Sequence, residues 1–482
     1  MKICVRTVLV ALILVSCKTT KAQHQYQVVV KGKNTVHVEA VLGTSVTELH
    51  LPVMVTAELP DGPAEFIKNL VLTDGRGNEI QIVERINHGN YYSWRLADAV
   101  DRLSIRYDIE MHHDQYDWPF GVEEISYRTP EGFMIVGRYL FIIPNFLEET
   151  YDVDFDLPES WSVSVPWGAK EQNKFSGVKG SELRDNAMFI GQHREEEIVV
   201  GATRLRLLLG PGLQGDKQRI LNYLKPNMSA IGELFGSAPK STYLVIMQEG
   251  PIAGGAFNQS YSMLIEKPIN EASSALWGHG MIHETFHLWN GRGLVPATQM
   301  EWFREGLTEY LSIQLEAVTH SLKPKNIEKK IENAYRRYFL STVMGSPVSL
   351  QEAGENKDQN RMKIYGLGTF FALVLDIEIR HANGNKKGLT EVIRLMYTEM
   401  AIENRQYTLE DVIRYTNRVA GKDLRFLFDA YVTGLDPLKP NEHLKKGGLL
   451  LTTMYDEAYL DDNPEASNLE KSIRVAVLGP GF

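Results

Sequence analysis

His283, Glu284 and His287 stand in the order H-E-x-x-H. On a helix, residues four apart share a face, so both imidazoles can reach one metal ion while Glu284, one residue on, flanks that ion instead of ligating it. Zinc accepts neutral imidazole nitrogen, and a hydrolytic zinc site wants three protein ligands with water in the fourth place. Two histidines are one ligand short. Thr298 and Glu301 have the T-x-x-E spacing of a capping box, which predicts a second helix beginning just after Thr298 and carrying Glu305 about two turns in. Glu305 is the expected third ligand. His279, one turn upstream of His283, is a competing donor, but Gly278 and Gly280 weaken the helix around it and place it behind Glu305. Glu309 lies one turn beyond Glu305 and reads either as the acceptor for the second ring N–H of a ligating imidazole or as a solvent-facing glutamate.

These residues need elements to hold them. The apolar pattern predicts a metal helix from near Ala275 to Asn290, stopped by Gly291. Before it, Tyr243–Met247 is an apolar run long enough for a buried strand, and the glycine-rich stretch Gly250–Ser260 connects it to a second strand, Tyr261–Glu266. After it come a Lys- and Arg-rich helix over Pro324–Leu340, whose charges read as a solvated face, and an apolar helix over Thr369–Arg380. Tyr365 precedes that helix and on its own reads as a buried aromatic at a helix start.

The segment H-E-T-F-H-L-W-N over 283–290, followed by a proline and by W-F-R-E-G-L-T-E-Y over 302–310, resembles the glycyl aminopeptidase-like metallopeptidases, Glu-zincins related to aminopeptidase N. In that family a helix carries H-E-x-F-H-x-W-N, and the zinc-binding glutamate stands in W-x-x-E-G-x-T-x-Y. The matching positions here are His283, Glu284, Phe286, His287, Trp289 and Asn290, then Trp302, Glu305, Gly306, Thr308 and Tyr310. Leu375 to Arg380 also fits the family's L-D-x-x-I-R. The family's Y-x-K-G has its counterpart in Tyr365 to Gly368, with Leu367 in place of the lysine. The resemblance implies peptide-bond hydrolysis with one zinc ion per chain, Glu284 as general base and the Tyr365 hydroxyl as a stabiliser of the oxyanion.

The same resemblance marks the glycine-rich loop. Relatives carry G-A-M-E-N or G-G-L-E-H there, and the glutamate binds the free α-amine of the substrate. Gly254, Gly255, Ala256, Phe257 and Asn258 are therefore expected to border the substrate, and alignment on Gly255 puts Asn258 at the glutamate position. A neutral amide cannot match the charge-assisted bonds of a carboxylate to an ammonium. Three readings stay open: an aminopeptidase-like enzyme with an altered amine site, an endopeptidase or processor of N-blocked peptides, and a non-catalytic, lipid-anchored protein that binds peptides or glycans. Glu284 favours catalysis, because a purely structural zinc site has no use for it.

The amino terminus reads as an export signal. Lys2 and Arg6 precede an apolar run over Val8–Val15, and Leu14-Val15-Ser16-Cys17 resembles a bacterial lipobox, so that Cys17 becomes the lipidated first residue of a cell-envelope lipoprotein. A cut after Ala22 is the alternative and would release a soluble periplasmic or secreted protein. Cys4 and Cys17 are the two cysteines of the chain, so the mature protein has no disulfide framework and no thiolate for a metal. A formal net charge of −10 without a clustered basic stripe argues against nucleic acid as a partner. Peptide or protein substrates are expected, together with the membrane surface if Cys17 is acylated.

The fold expected is a multidomain α+β arrangement: an N-terminal antiparallel β-sandwich, then a thermolysin-like, mainly helical catalytic domain with a small β-sheet. Residues 1–23 form the signal, 24–209 the β domain, 210–436 the catalytic domain and 437–482 a short extension without a full PDZ domain. Strands are predicted at Tyr26–Val30, Thr35–Val41, Ile80–Val83, Leu103–Met111, Phe133–Ile143 and Glu197–Leu209. His112, His113 and Asp114 alternate across such a strand and read as its solvated end. A strand pair, Gly447–Thr453 with Ile473–Leu478, is expected in the extension.

Overall fold

Period-two alternation builds the first part of the chain. Along His24–Val30, Tyr26, Val28 and Val30 are buried while Gln25 and Gln27 are exposed, the pattern of a strand with one face on a core. The computed structural model describes residues 24–480 apart from 31, 33, 53–61, 89–90, 112–124, 145–146, 237–241 and 252. The expected leader with Cys17 and the His112–Asp114 run lie outside the described residues.

The chain forms two compact units. The first takes in residues through Glu110 together with Ile142–Leu157 and Gly168–Leu183, and the second holds Met111–Phe141, Pro158–Trp167 and everything from Arg184. In the first unit a seven-stranded sheet runs in the order 169–171, 174–179, 150–156, 24–30, 35–42, 103–110, 67–73. Its pairs are antiparallel except that His24–Val30 lies parallel to Thr150–Asp156. A three-stranded sheet of 46–52, 91–100 and 82–87 completes the described strands of this unit.

The second unit is mainly helical and, among the described residues, carries two larger sheets and a two-stranded one near its end. One of the larger two joins 162–164, 187–191, 132–136 and 127–129, and the other runs in the order 195–200, 203–209, 242–249, 260–265, 253–256. Two expectations are corrected here. The run Glu197–Leu209 is a hairpin, Glu195–Val200 with Thr203–Leu209, which turns at Gly201 with φ 59° and opens the five-stranded sheet of the second unit. Only glycine adopts that conformation freely, and alternation on both sides of it imitates one long strand. The run Phe133–Ile143 ends as a strand at Val136 and continues as a helical turn, Gly137–Leu140. The two units therefore interleave along the chain and do not meet at one boundary near residue 210.

The long helices of the second unit are Lys217–Phe235, Glu271–Phe286, Leu307–Val318, Pro324–Met344 and Lys357–Asn383. The extension departs from expectation. Leu449–Met454 pairs with Glu457–Asp462, and Asn468–Leu478 is a helix begun by a capping box of Ser467 and Glu470. Ile473 and Val477, four apart, bury on the core, and Gln314 Nε2 donates to the Ala476 carbonyl at 3.2 Å. No helix among the described residues is long and apolar enough to cross a membrane.

Candidate active site

Asn270 starts the metal helix, Glu271–Phe286. Its side chain accepts from Ser273 N at 3.0 Å, and Ser273 Oγ accepts from Asn270 N at 2.9 Å. Trp277, Met281, Ile282 and Phe286 anchor the helix in the core. Gly278 is a contact point: a Cβ there would lie 2.1 Å from the Tyr223 ring, so the helix Lys217–Phe235 can approach only a glycine. The helix ends at Phe286, earlier than expected, with His287 at its cap.

Asn290 ties this segment to the next. Its Nδ2 donates to Phe303 O and to Thr308 Oγ1, each at 3.0 Å. The second segment starts at Glu301, and no side chain caps it, so Thr298 does not play the expected part. Phe303 N and Arg304 N bond to Met300 O, and Leu307 N reaches back five residues to Trp302 O. That i→i+5 bond makes Trp302–Gly306 a π-helical turn, a local widening that recurs at functional sites. Glu305 sits within it, 4% exposed.

The motif's remaining polar residues form a buried brace. Tyr310 Oη donates to Asp376 Oδ2 at 2.7 Å, Gln314 Nε2 donates to the same oxygen at 3.0 Å, and Arg380 Nε donates to Asp376 Oδ1 at 2.9 Å. The Glu305 segment is thereby fixed to the helix Lys357–Asn383, which carries Tyr365.

Three donor atoms converge at the centre. His283 Nε2 lies 3.1 Å from His287 Nε2 and 3.2 Å from Glu305 Oε2, and His287 Nε2 lies 3.3 Å from that oxygen. Tetrahedral ligands at the zinc–nitrogen distance of about 2.0 Å are separated by about 3.3 Å, so this triangle has the edges that one zinc ion requires. The other ring nitrogens face acceptors: His287 Nδ1 lies 2.9 Å from Asn290 O, and His283 Nδ1 lies 3.0 Å from Glu309 Oε2. Both Nε2 atoms are thus left to carry the metal as neutral imidazole. Burial would push the His283 imidazole down, but its contacts with Glu305 and Glu309 outweigh this and lift it to about 10. Burial would likewise raise Glu305, yet the two imidazoles hold it far below the usual carboxylate range.

His279 is engaged elsewhere. Its Nδ1 lies 2.8 Å from Glu316 Oε2 and its Nε2 lies 3.0 Å from Glu309 Oε1. A row of carboxylate and imidazole, Glu316–His279–Glu309–His283, therefore leads to the donor triangle. A Glu284 carboxylate oxygen and a ring nitrogen of each of His283 and His287 lie within 4.8 Å of one another. Tyr365 Oη donates to Glu305 Oε2 at 2.8 Å, and burial first, then the Glu305 charge, pushes its pKa well up.

Of the loop residues, Gly254 and Ala256 line the cleft beside Glu284 and Tyr365, a cavity of ≈ 370 Å³. They belong to the edge strand Ala253–Ala256, paired with Ser260–Ile265. Gly255 and Phe257 are buried on the opposite face, as strand alternation demands. Asn258 follows the end of the strand, its N–H donates to Asp185 O at 2.8 Å, and it does not line the cleft. The expected place of the amide beside a substrate amine is thus not where the structure puts it.

Four cations line the same cleft: Arg292, Arg304, Lys357 and Arg361. None of the four is among the site residues expected from the sequence. Lys357, Arg361 and Tyr365 follow one another at four-residue spacing, which marks one helix face. The signal was hidden because the helix begins at Lys357, capped by Asn356, well before the expected start at Thr369.

Residues 18–192 match the family described as the Peptidase M61 N-terminal domain. Among solved structures, an aminopeptidase N family protein from Idiomarina loihiensis is similar over 89% of this chain and 79% of its own, with 18% identity and a TM-score of 0.73. An M1 zinc metallopeptidase from Deinococcus radiodurans aligns over 87% of this chain and 95% of its own, with 13% identity and a TM-score of 0.49. Among proteins of curated function, none matches the chain in sequence. The M61 match lies over the N-terminal part of the chain and agrees with the family resemblance expected from the motifs, and the fold is similar to that of the Idiomarina protein.

Proposed function

We propose that the chain hydrolyses peptide bonds with one zinc ion held by His283, His287 and Glu305. The donor triangle carries this reading, since its three edges of 3.1, 3.2 and 3.3 Å suit one tetrahedral ion. Zinc, when bound, supplies a Lewis acid that polarises the peptide carbonyl and makes water acidic enough to attack near neutral pH. Glu284 takes the proton of the attacking water and hands it to the departing amine nitrogen. Tyr365 keeps its own proton, because its pKa is raised, and turns its O–H from Glu305 towards the carbonyl oxygen as negative charge builds there. The edge strand Ala253–Ala256 offers backbone groups with which an extended peptide can pair. Substituting Glu284→Gln removes the proton acceptor and keeps the donor triangle; turnover of a mixed peptide library should vanish while bound zinc stays at the wild-type level. Undiminished cleavage would refute the role of Glu284.

One observation favours an endopeptidase or a processor of N-blocked peptides over a strict aminopeptidase. The carboxylates lining the cleft are Glu284 and Glu305, and both are committed to the chemistry. Among the described residues a free α-ammonium finds no other counter-ion there, and Asn258 stands off the cleft. Acetylated and free peptides of one sequence should then be cut alike; cleavage confined to free amino termini would restore the aminopeptidase reading. Export and acylation of Cys17 complete the proposal, and mass analysis of the mature amino terminus tests them.

A further inference from the structure

Among the described residues the cleft beside Glu284 holds four cations against two carboxylates, in a chain whose formal net charge is −10. Two of the cations have carboxylate partners. Lys357 Nζ donates to Glu305 Oε1 at 2.6 Å, and Arg304 Nη2 donates to Glu301 Oε2 at 2.9 Å. Among the described residues Arg292 and Arg361 have none. Arg292 uses Nη2 on the Phe257 carbonyl, and its buried Nη1 has no hydrogen-bond partner. Arg361 is exposed and stands 5.3 Å over the Tyr365 ring, with no carboxylate paired to it among the described residues.

A second cavity, of ≈ 420 Å³, shares Glu284, Arg361 and Tyr365 with the first and adds Arg337 together with Glu309, whose carboxylate is engaged by His279 and His283. Arg337 is also exposed and free of a carboxylate partner among the described residues. Arg361 therefore stands where two cavities meet beside the base and the tyrosine, with one further unpaired arginine in each. Guanidinium groups receive carboxylates through charge-assisted, often bidentate bonds, and the surplus of cations over carboxylates in the first cavity favours an anionic ligand there.

We infer that this cleft selects peptides that carry a carboxylate next to the bond to be cut, received by Arg361 together with Arg292 or Arg337. The inference rests on the peptidase reading for the word cut, but the recognition itself is a matter of binding. The carboxylate has two possible sources, an Asp or Glu side chain and the carboxyl terminus of a short peptide.

Binding to the zinc-loaded Glu284→Gln variant tests it without turnover. Three fluorescent peptides of one length are compared at low salt: one with an internal Glu and an amidated end, one with Gln and a free carboxyl end, and one with Gln and an amidated end. The inference expects one of the first two to bind about tenfold or more tighter than the third, the effect of a bond to a charged group, with the gap closing as salt rises. Which of the two wins identifies the source. Adding Arg361→Gln should shrink the gap while zinc stays bound, and Arg361→Glu should turn the preference towards a Lys-containing peptide. Equal binding of all three peptides overturns the inference. So does a preference that survives Arg361→Gln combined with Arg292→Gln and Arg337→Gln, since the metal and not the arginines would then hold the carboxylate. Wild-type protein that binds acidic peptides tightly through these arginines and never cuts them would count against the peptidase reading and for this one.

Discussion

Gly306 and Gly368 meet backbone to backbone: a Cβ on Gly306 would lie 2.5 Å from the carbonyl carbon of Gly368 and 2.6 Å from its Cα. The segment that carries Glu305 and the helix that carries Tyr365 can cross this closely only because neither has a side chain there. The crossing brings the Tyr365 hydroxyl to 2.8 Å from Glu305. Gly306→Ala should force the two apart, costing about 1–3 kcal/mol of stability by overpacking and weakening zinc binding as Glu305 is displaced. Denaturant unfolding and competition with a chelator measure the two effects. A folded variant with wild-type zinc affinity would show that the crossing does not set the position of Glu305.

Glu309 faces two imidazoles at 3.0 Å each, His283 and His279. Its carboxylate should fix the ring of His283 with Nε2 towards the metal. Glu309→Ala is expected to lower zinc affinity by about 10- to 100-fold, the usual effect of losing an outer hydrogen-bond partner of a ligand. An unchanged affinity would make Glu309 a bystander.

Tyr365→Phe removes one hydroxyl and little volume. Loss of an oxyanion donor costs roughly 10² to 10³ in kcat, with KM and zinc content nearly unchanged. If KM rises instead and kcat holds, the tyrosine binds substrate equally in ground and transition states and is no oxyanion donor.

Acid should loosen the second unit at Glu378, which lies 2.6 Å from both His443 Nδ1 and Lys446 Nζ. Burial would raise its pKa, but the bonds from His443 and Lys446 outweigh that and hold it below the usual 4.5. The folded state thus gives up the proton more readily than the unfolded chain. The stability gained is complete above the unfolded value and is lost as pH falls through the depressed folded one. Glu378→Gln should therefore be less stable than wild type at neutral pH and converge with it in acid, as urea unfolding along a descending pH series would show. Parallel curves would mean that the ion pairs add nothing.

What could be read without coordinates follows from periodicity. His283 and His287 share a helix face because four residues make about one turn, and alternating strands such as Leu103–Glu110 declare their buried side residue by residue. The Thr298 box that points to Glu305 caps nothing, and the helix opens instead on a wide turn. Gly201 and the helix over Asn468–Leu478 escaped for a related reason. A glycine turn inside an alternating run, and the run Ile473 to Leu478 with its dense β-branched residues, look like strand until the chain's neighbours are known. The cationic cleft could not be read at all from local pattern, because Arg292 comes from the loop after the metal helix while Lys357 and Arg361 come from a helix start some sixty residues on, and only the fold sets them around Glu284.

The wide turn at Trp302–Gly306 bears on any attempt to transplant this centre onto another scaffold. One residue more than an ordinary helical turn is accommodated there, as the bond from Leu307 N to Trp302 O records. Taking out that surplus residue would restore a regular helix and swing everything on one side of it by about 100° relative to the other. Glu305 lies inside the turn, while Thr308, Tyr310 and Gln314, which anchor the segment to Asn290 and Asp376, lie beyond it. A copy grafted as a straight helix could honour the anchors or the carboxylate but not both, so the irregularity must travel with the motif.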